Sequence, residues 1–205
     1  SDSTQVQIGG FNNGTYYDIC YDTANDGIWV IYPAGNASNR LDVSFYRVQA
    51  SAAGLSDWFG NDSGYWVEAT VDSSTSCSAP RIEYDPDTER AVAIWIENNA
   101  LRSKVLQYNI GNNTISQGSE VTVFSGGALQ PTMCYDTTDN KMIVGAVRTS
   151  SSSQFQTYVG TVTGGGTNSI SFGSMTSNSN VTNSGIENRF PDLAYDPDND
   201  KIILY

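Results

Sequence analysis

Tyr195-Asp196-Pro197-Asp198-Asn199-Asp200-Lys201, running straight into Ile202-Ile203-Leu204-Tyr205, is the last of four copies of one hairpin. The earlier copies are Tyr21-Asp22-Thr23-Ala24-Asn25-Asp26-Gly27, Tyr84-Asp85-Pro86-Asp87-Thr88-Glu89-Arg90 and Tyr135-Asp136-Thr137-Thr138-Asp139-Asn140-Lys141. They align without a gap, and each enters a short apolar segment. Three have a proline four residues before the tyrosine: Pro80, Pro131 and Pro191. The tyrosines lie 63, 51 and 60 residues apart. A β-helix rung is far shorter, whereas a four-stranded propeller blade of kelch type takes about 50 residues.

The reading is therefore all-β, a propeller of four-stranded blades with about three full repeats and partial blades at both ends. Residues 1–16 are expected to supply the outer strand of a preceding or closing blade. Blades follow at 17–78, 79–129 and 130–189, and 190–205 give the first two strands of another. In the third unit strands are predicted at 131–135, 142–148, 155–162 and 169–176, with Gly164-Gly165-Gly166 as the last turn. The second unit repeats the order at 81–84, 90–97, 104–110 and 114–124. Asp-Pro-Asp-Thr and Asp-Pro-Asp-Asn favour a type I turn, because the first aspartate bonds the backbone two residues on and proline presets the next φ. The preceding proline is expected to mark the start of the inner strand. The tyrosine is expected to wedge between blades with its hydroxyl wet. Starting and stopping within blades, the sequence reads either as a segment of a longer polypeptide or as a small ring closed by its N-terminal strand.

Composition narrows the function. The 205 residues carry a net charge of -12, which repels phosphate backbones and anionic headgroups, so nucleic acid is not an expected partner. There is no histidine, which removes His-based triads and His metal ligands. No apolar run is long enough to span a membrane, so membrane insertion is not expected. Three cysteines make no full disulfide framework. Cys20 and Cys134 hold the same repeat position and read as small strand residues, too far apart to bond; Cys77, in a Ser-rich stretch, is a candidate free thiol.

Three groups carry candidate chemistry. Asp196, Asp198 and Asp200, like Asp85 and Asp87, have the alternating oxygens of a calcium loop, so calcium is a possible cofactor. They lack the glycine and the distal bidentate glutamate of such loops, and a plain β-turn explains them. The first repeat is longer than the others, and its excess holds Trp58, Phe59, Asp62, Tyr65 and Trp66. Aromatic faces among carboxylates and amides suit a sugar ring; the alternative is that these rings fold over the blade edge or make an intersubunit contact. Arg189-Phe190-Pro191 is faintly similar to the Arg-x-Pro opening of sialidase propellers, but the Asp-box spacing is absent, and Asp62-Ser63-Gly64-Tyr65-Trp66 is one residue too short for it. No catalytic residue is assigned. Five Asn-x-Ser/Thr sequons, at Asn13, Asn36, Asn61, Asn112 and Asn180, are what this composition gives by chance.

Tyr158-Val159-Gly160-Thr161-Val162, Ser169-Ile170-Ser171-Phe172-Gly173-Ser174 and the stretch from Phe190 to Tyr205 together resemble a repeat of marine bacteriophage virion proteins, in tail fibres and related structural proteins. The likeness is good over 155–205, fair over 79–125 and weak over the first repeat, where Tyr17 replaces the proline and Gly27 the basic residue. It implies a propeller displayed on a virion surface or extracellularly, oligomeric or part of a longer chain, with other assembly subunits and a cell-surface glycan or protein as partners. The expected function is a non-enzymatic structural or binding module. The rivals are a secreted carbohydrate-active propeller and a polymerising extracellular filament.

Overall fold

A computed structural model describes residues 16–34, 40–47, 66–149, 154–176 and 191–205, together with the backbone of 177–182. These residues are all-β, in successive antiparallel sheets, and no helix occurs among them. The first sheet holds β1 (Asp18–Asp22), β2 (Gly27–Pro33), β3 (Leu41–Arg47) and β4 (Trp66–Asp72) in chain order. The second holds β5 (Ser78–Asp85), β6 (Arg90–Glu97), β7 (Ala100–Asn109) and β8 (Thr114–Gln117), with β9 (Val121–Phe124) also on β7. The third holds β10 (Ala128–Asp136), β11 (Lys141–Arg148), β12 (Gln154–Thr163) and β13 (Ser169–Phe172), with β14 (Thr176–Thr182) also on β12. A fourth is the hairpin of β15 (Leu193–Asp196) and β16 (Lys201–Leu204).

Several predicted strands come out differently; the run 169–176 ends at Phe172, and Thr176 opens β14, a separate strand on β12. The run 114–124 is not one outer strand but two short ones, because ten-residue β7 offers a longer edge than either covers. Gly118 makes the break: its N–H bonds Val105 O at 2.8 Å, and an added Cβ would meet the Asn168 carbonyl oxygen at 1.7 Å. Nor do two of the three prolines start their inner strands, although Pro191 does lie just ahead of β15. Pro80 and Pro131 lie inside β5 and β10, where the pairing register slips between Ser78 and Arg81 and between Leu129 and Thr132. Ala79 and Gln130, just ahead of them, have φ of 47° and 51°. A bulge leaves a residue unpaired, so proline's missing N–H is tolerated there.

The sheets pack face to face through apolar layers. Trp29, Ile31, Val43 and Phe45 of the first meet Ile82, Ala91 and Trp95 of the second. Val92, Ile94 and Val105 of the second meet Met133, Tyr135 and Val144 of the third. Cys134, Ile143 and Phe155 of the third meet Leu193 of the fourth. Alternation explains the sidedness: one face of each inner strand looks back to the preceding sheet and the other forward. Gly145 allows the last contact, since a Cβ there would lie 2.3 Å from the Phe155 ring and 3.2 Å from Leu193. The expected wedge is thus present in the second and third units. Its hydroxyls there are enclosed rather than wet, because Tyr84 and Tyr135 are only 5% and 8% exposed.

Candidate functional site

The inner strands bring the four repeats side by side, and their two ends differ in chemistry. At the turn end each hairpin is closed by the aspartate after the tyrosine. Asp85 Oδ1 accepts the N–H groups of Asp87 (3.0 Å) and Thr88 (3.2 Å), and its Oδ2 accepts Thr88 Oγ1 at 2.8 Å. Asp22 accepts Ala24 N and Asn25 N, Asp136 accepts Thr138 N and Asp139 N, and Asp196 accepts Asp198 N and Asn199 N. The side-chain bond from Asn199, with these backbone bonds, holds the Asp196 carboxyl below the usual aspartate range. The turn then closes through a residue of positive φ: Asp26, Glu89, Asn140 or Asp200. Tyr195 donates to Asp200 at 2.9 Å, Tyr135 to Asn140 at 3.1 Å, and Tyr21 to Asp26.

The same tyrosines join sheet to sheet. Tyr195 Oη meets Thr138 Oγ1 in the turn of the preceding sheet. Burial first, and then the Asp85 carboxylate of the preceding turn, pushes the Tyr135 hydroxyl up. Burial first, then Asp22, does the same to Tyr84, whose Oη has no hydrogen bond of normal geometry. A groove of about 530 Å³ crosses this end, between Tyr21, Tyr84, Tyr135 and Tyr195 and beside Pro86 and Pro197. Of the calcium candidates, Asp85 and Asp196 therefore use both carboxylate oxygens within their own turns, and Asp200 accepts from Tyr195. Asp87 and Asp198 are exposed. Among the described residues, the acids whose oxygens cluster are instead Asp72, Glu97 and Glu120. Arg102 pairs with two of them, Glu97 at 3.1 Å and Glu120 at 3.4 Å, while Asp72 accepts Trp95 Nε1 at 2.9 Å. A guanidinium thus already supplies positive charge to this group.

The other end of the inner strands is polar. A cavity of about 440 Å³ is lined there by Asp18, Arg81, Glu83, Thr132 and Asp192. Four of these stand three residues before the repeat tyrosine. Their polar groups cross between sheets. Asp18 Oδ2 accepts Ile82 N at 2.9 Å, Asp192 Oδ1 accepts Thr132 Oγ1 at 2.6 Å, and Thr132 Oγ1 accepts Leu193 N at 3.1 Å. Burial raises the carboxyls of Asp18 and Glu83 above their ordinary values, against the backbone bonds that each accepts. Burial likewise pushes the Cys134 thiol up to about 12 and raises that of Cys20 well above its ordinary value, with the Glu83 carboxylate adding to both. Thiols so shifted are protonated and weakly nucleophilic at neutral pH. Cys20, Cys77 and Cys134 are all free. Cys77 is buried rather than displayed on a loop, and its thiol too is pushed up to about 12.

Of the predicted aromatic group, Trp58, Phe59, Asp62 and Tyr65 lie outside the described residues, as do Arg189 and Phe190. Trp66 opens β4 and is partly exposed; it faces Tyr46 across the strand pair, with ring centroids 6.3 Å apart and planes at 17°. The polar cavity was missed in the sequence because its repeat position changes type, reading Asp18, Arg81, Thr132 and Asp192. That all four repeats place a polar residue at this position was the available signal. The sequence matches no protein-family model and no curated protein.

Proposed function

We propose that the chain is a non-enzymatic structural and binding module of the β-propeller type, displayed extracellularly or on a virion fibre. The observation that carries this reading is the repeated joint between sheets, in which each hairpin's own acid closes the turn and the tyrosines of the later three hairpins face the preceding turn. Such groups build a stiff scaffold and leave recognition to the surface loops. The likeness of residues 155–205 to phage virion repeats supports the same role. Recognition of a cell-surface glycan is drawn from the parallel, partly exposed Trp66 and Tyr46 rings, since flat aromatic faces suit the apolar face of a sugar.

A second reading rests on Glu83. A carboxyl with a raised pKa at a polar cavity is what a glycosidase uses as general acid. A glycan array followed by labelled glycosides separates the two. The binding module gives saturable binding that Trp66→Ala weakens at least tenfold, with no turnover. Turnover abolished by Glu83→Gln would replace this reading with the enzymatic one.

A further inference from the structure

Three arginines of the described sheets are held fast, and a fourth, at the polar cavity, is not. Arg40 gives Asp42 two bonds, at 2.9 and 2.8 Å. Arg90 bonds the Asn168 side chain and the Thr88 and Glu89 carbonyls, and Arg102 pairs with Glu97 and Glu120. Arg81 has one hydrogen bond, at 3.4 Å to the carbonyl of its neighbour Pro80. The salt bridges among the described residues are those of Arg40 and Arg102, so Arg81 pairs with no acid there.

Acids are nevertheless at hand. Alternation puts Arg81 and Glu83 on one face of β5, and both line the cavity with Asp18 of the first sheet. Burial raises the Asp18 carboxyl, and the Arg81 guanidinium is near enough to oppose that rise. Burial raises Glu83 too, and the Asp18 carboxylate adds to it. Unlike charges thus share one polar cavity without pairing. A single metal ion does not explain this. Among the described residues, the acids whose oxygens gather within 4.8 Å of one another are Asp72, Glu97 and Glu120, not those of the cavity. The span is that of a molecule: about 440 Å³, where small-molecule sites take about 300–1,000 Å³. A plain cation leaves Arg81 without a partner, a plain anion meets two carboxylates, and a neutral sugar answers neither charge.

We propose that the polar cavity binds a small zwitterion, a free α-amino acid, with its carboxylate on the Arg81 fork and its ammonium between Asp18 and Glu83. Thr132, 1% exposed and bonded to both Asp192 and Leu193, is a fixed wall of the site. The charged groups come from the first and second sheets and the wall from the third, so the site does not depend on the fourth hairpin for its chemistry. Glu83 acts here as an anion and transfers no proton. The site lies on inner strands, away from Trp66 on β4, so the glycan array neither supports nor removes it.

The test is thermal melting of the purified chain with each of the common L-α-amino acids, then titration calorimetry with the one that raises the midpoint most. At least one should raise the midpoint and bind at one molecule per chain. Its decarboxylated amine and its N-acetyl form, each lacking one charge, should bind at least tenfold more weakly. Arg81→Gln removes one long hydrogen bond, so it should keep the ligand-free circular dichroism and lose at least tenfold in affinity. Glu83→Gln should lose affinity likewise. No shift with any amino acid overturns the proposal. So do one-charge analogues that bind as well as the parent, or a folded Arg81→Gln chain that binds it unchanged.

Discussion

Tyr135 and Tyr21 occupy one position of the same repeat and make the same bond to a turn residue five positions on, yet one is 8% and the other 50% exposed. The hairpins are locally alike; what differs is whether, among the described residues, a preceding sheet lies against them. Local chemistry sets the turn, and the neighbour decides whether the tyrosine is a core residue. A repeat residue thus has no fixed energetic weight, which is the behaviour of stacked units stabilised through their interfaces.

The largest break of this comparison is truncation. Tyr135→Ala should cost about 3–5 kcal/mol, as for other buried aromatics, whereas Tyr21→Ala should stay within about 0.5 kcal/mol. Urea denaturation measures both, and equal losses would mean that enclosure is not the cause.

A smaller effect separates the two enclosed tyrosines. Tyr135→Phe removes a hydroxyl bonded to Asn140 and should cost about 1 kcal/mol. Tyr84→Phe removes an enclosed oxygen with no such bond and should be neutral or stabilising, read from the same denaturation midpoints. A clear loss in Tyr84→Phe would show that its hydroxyl is satisfied in solution.

The smallest effect is at the polar cavity. The Glu83 carboxyl sits above its ordinary value of 4.5, chiefly through burial, so the folded state holds that proton longer than the unfolded one. Stability from this group is complete below 4.5 and is lost as pH rises through the folded value. Glu83→Gln should therefore match the wild type under acid conditions and melt higher at neutral pH. Parallel melting curves across that range would place Glu83 in open solvent.

The residues explain which features could be read in advance. The hairpins were legible because Asp85, Asp136 and Asp196 act within three residues of themselves, where sequence is also structure. The tyrosine wedge was legible from its spacing, since a residue repeated at blade intervals must meet its own kind of neighbour. Pro80 and Pro131 were misread because a strand start and a bulge both tolerate proline, and only the partner strand decides between them. The break at Gly118 depends on Asn168 of the next sheet, a contact without local signature. For the site, the polar cavity was hidden by its changing residue types, and of the aromatic group only Trp66 has a described place.

The bulges at Pro80 and Pro131 bear on folding as well as on shape. A chain with four near-identical hairpins invites mispairing, in which one unit's inner strand takes another's second strand or slides along its own. Shifting a strand by one residue would turn Tyr84 or Tyr135 to the wrong face. An inner strand with an extra residue at a fixed point, next to a side chain that cannot donate to the ladder, matches its partner in one alignment only. The proline thus acts as a key cut into each of the two central strands, admitting its mate in one alignment only.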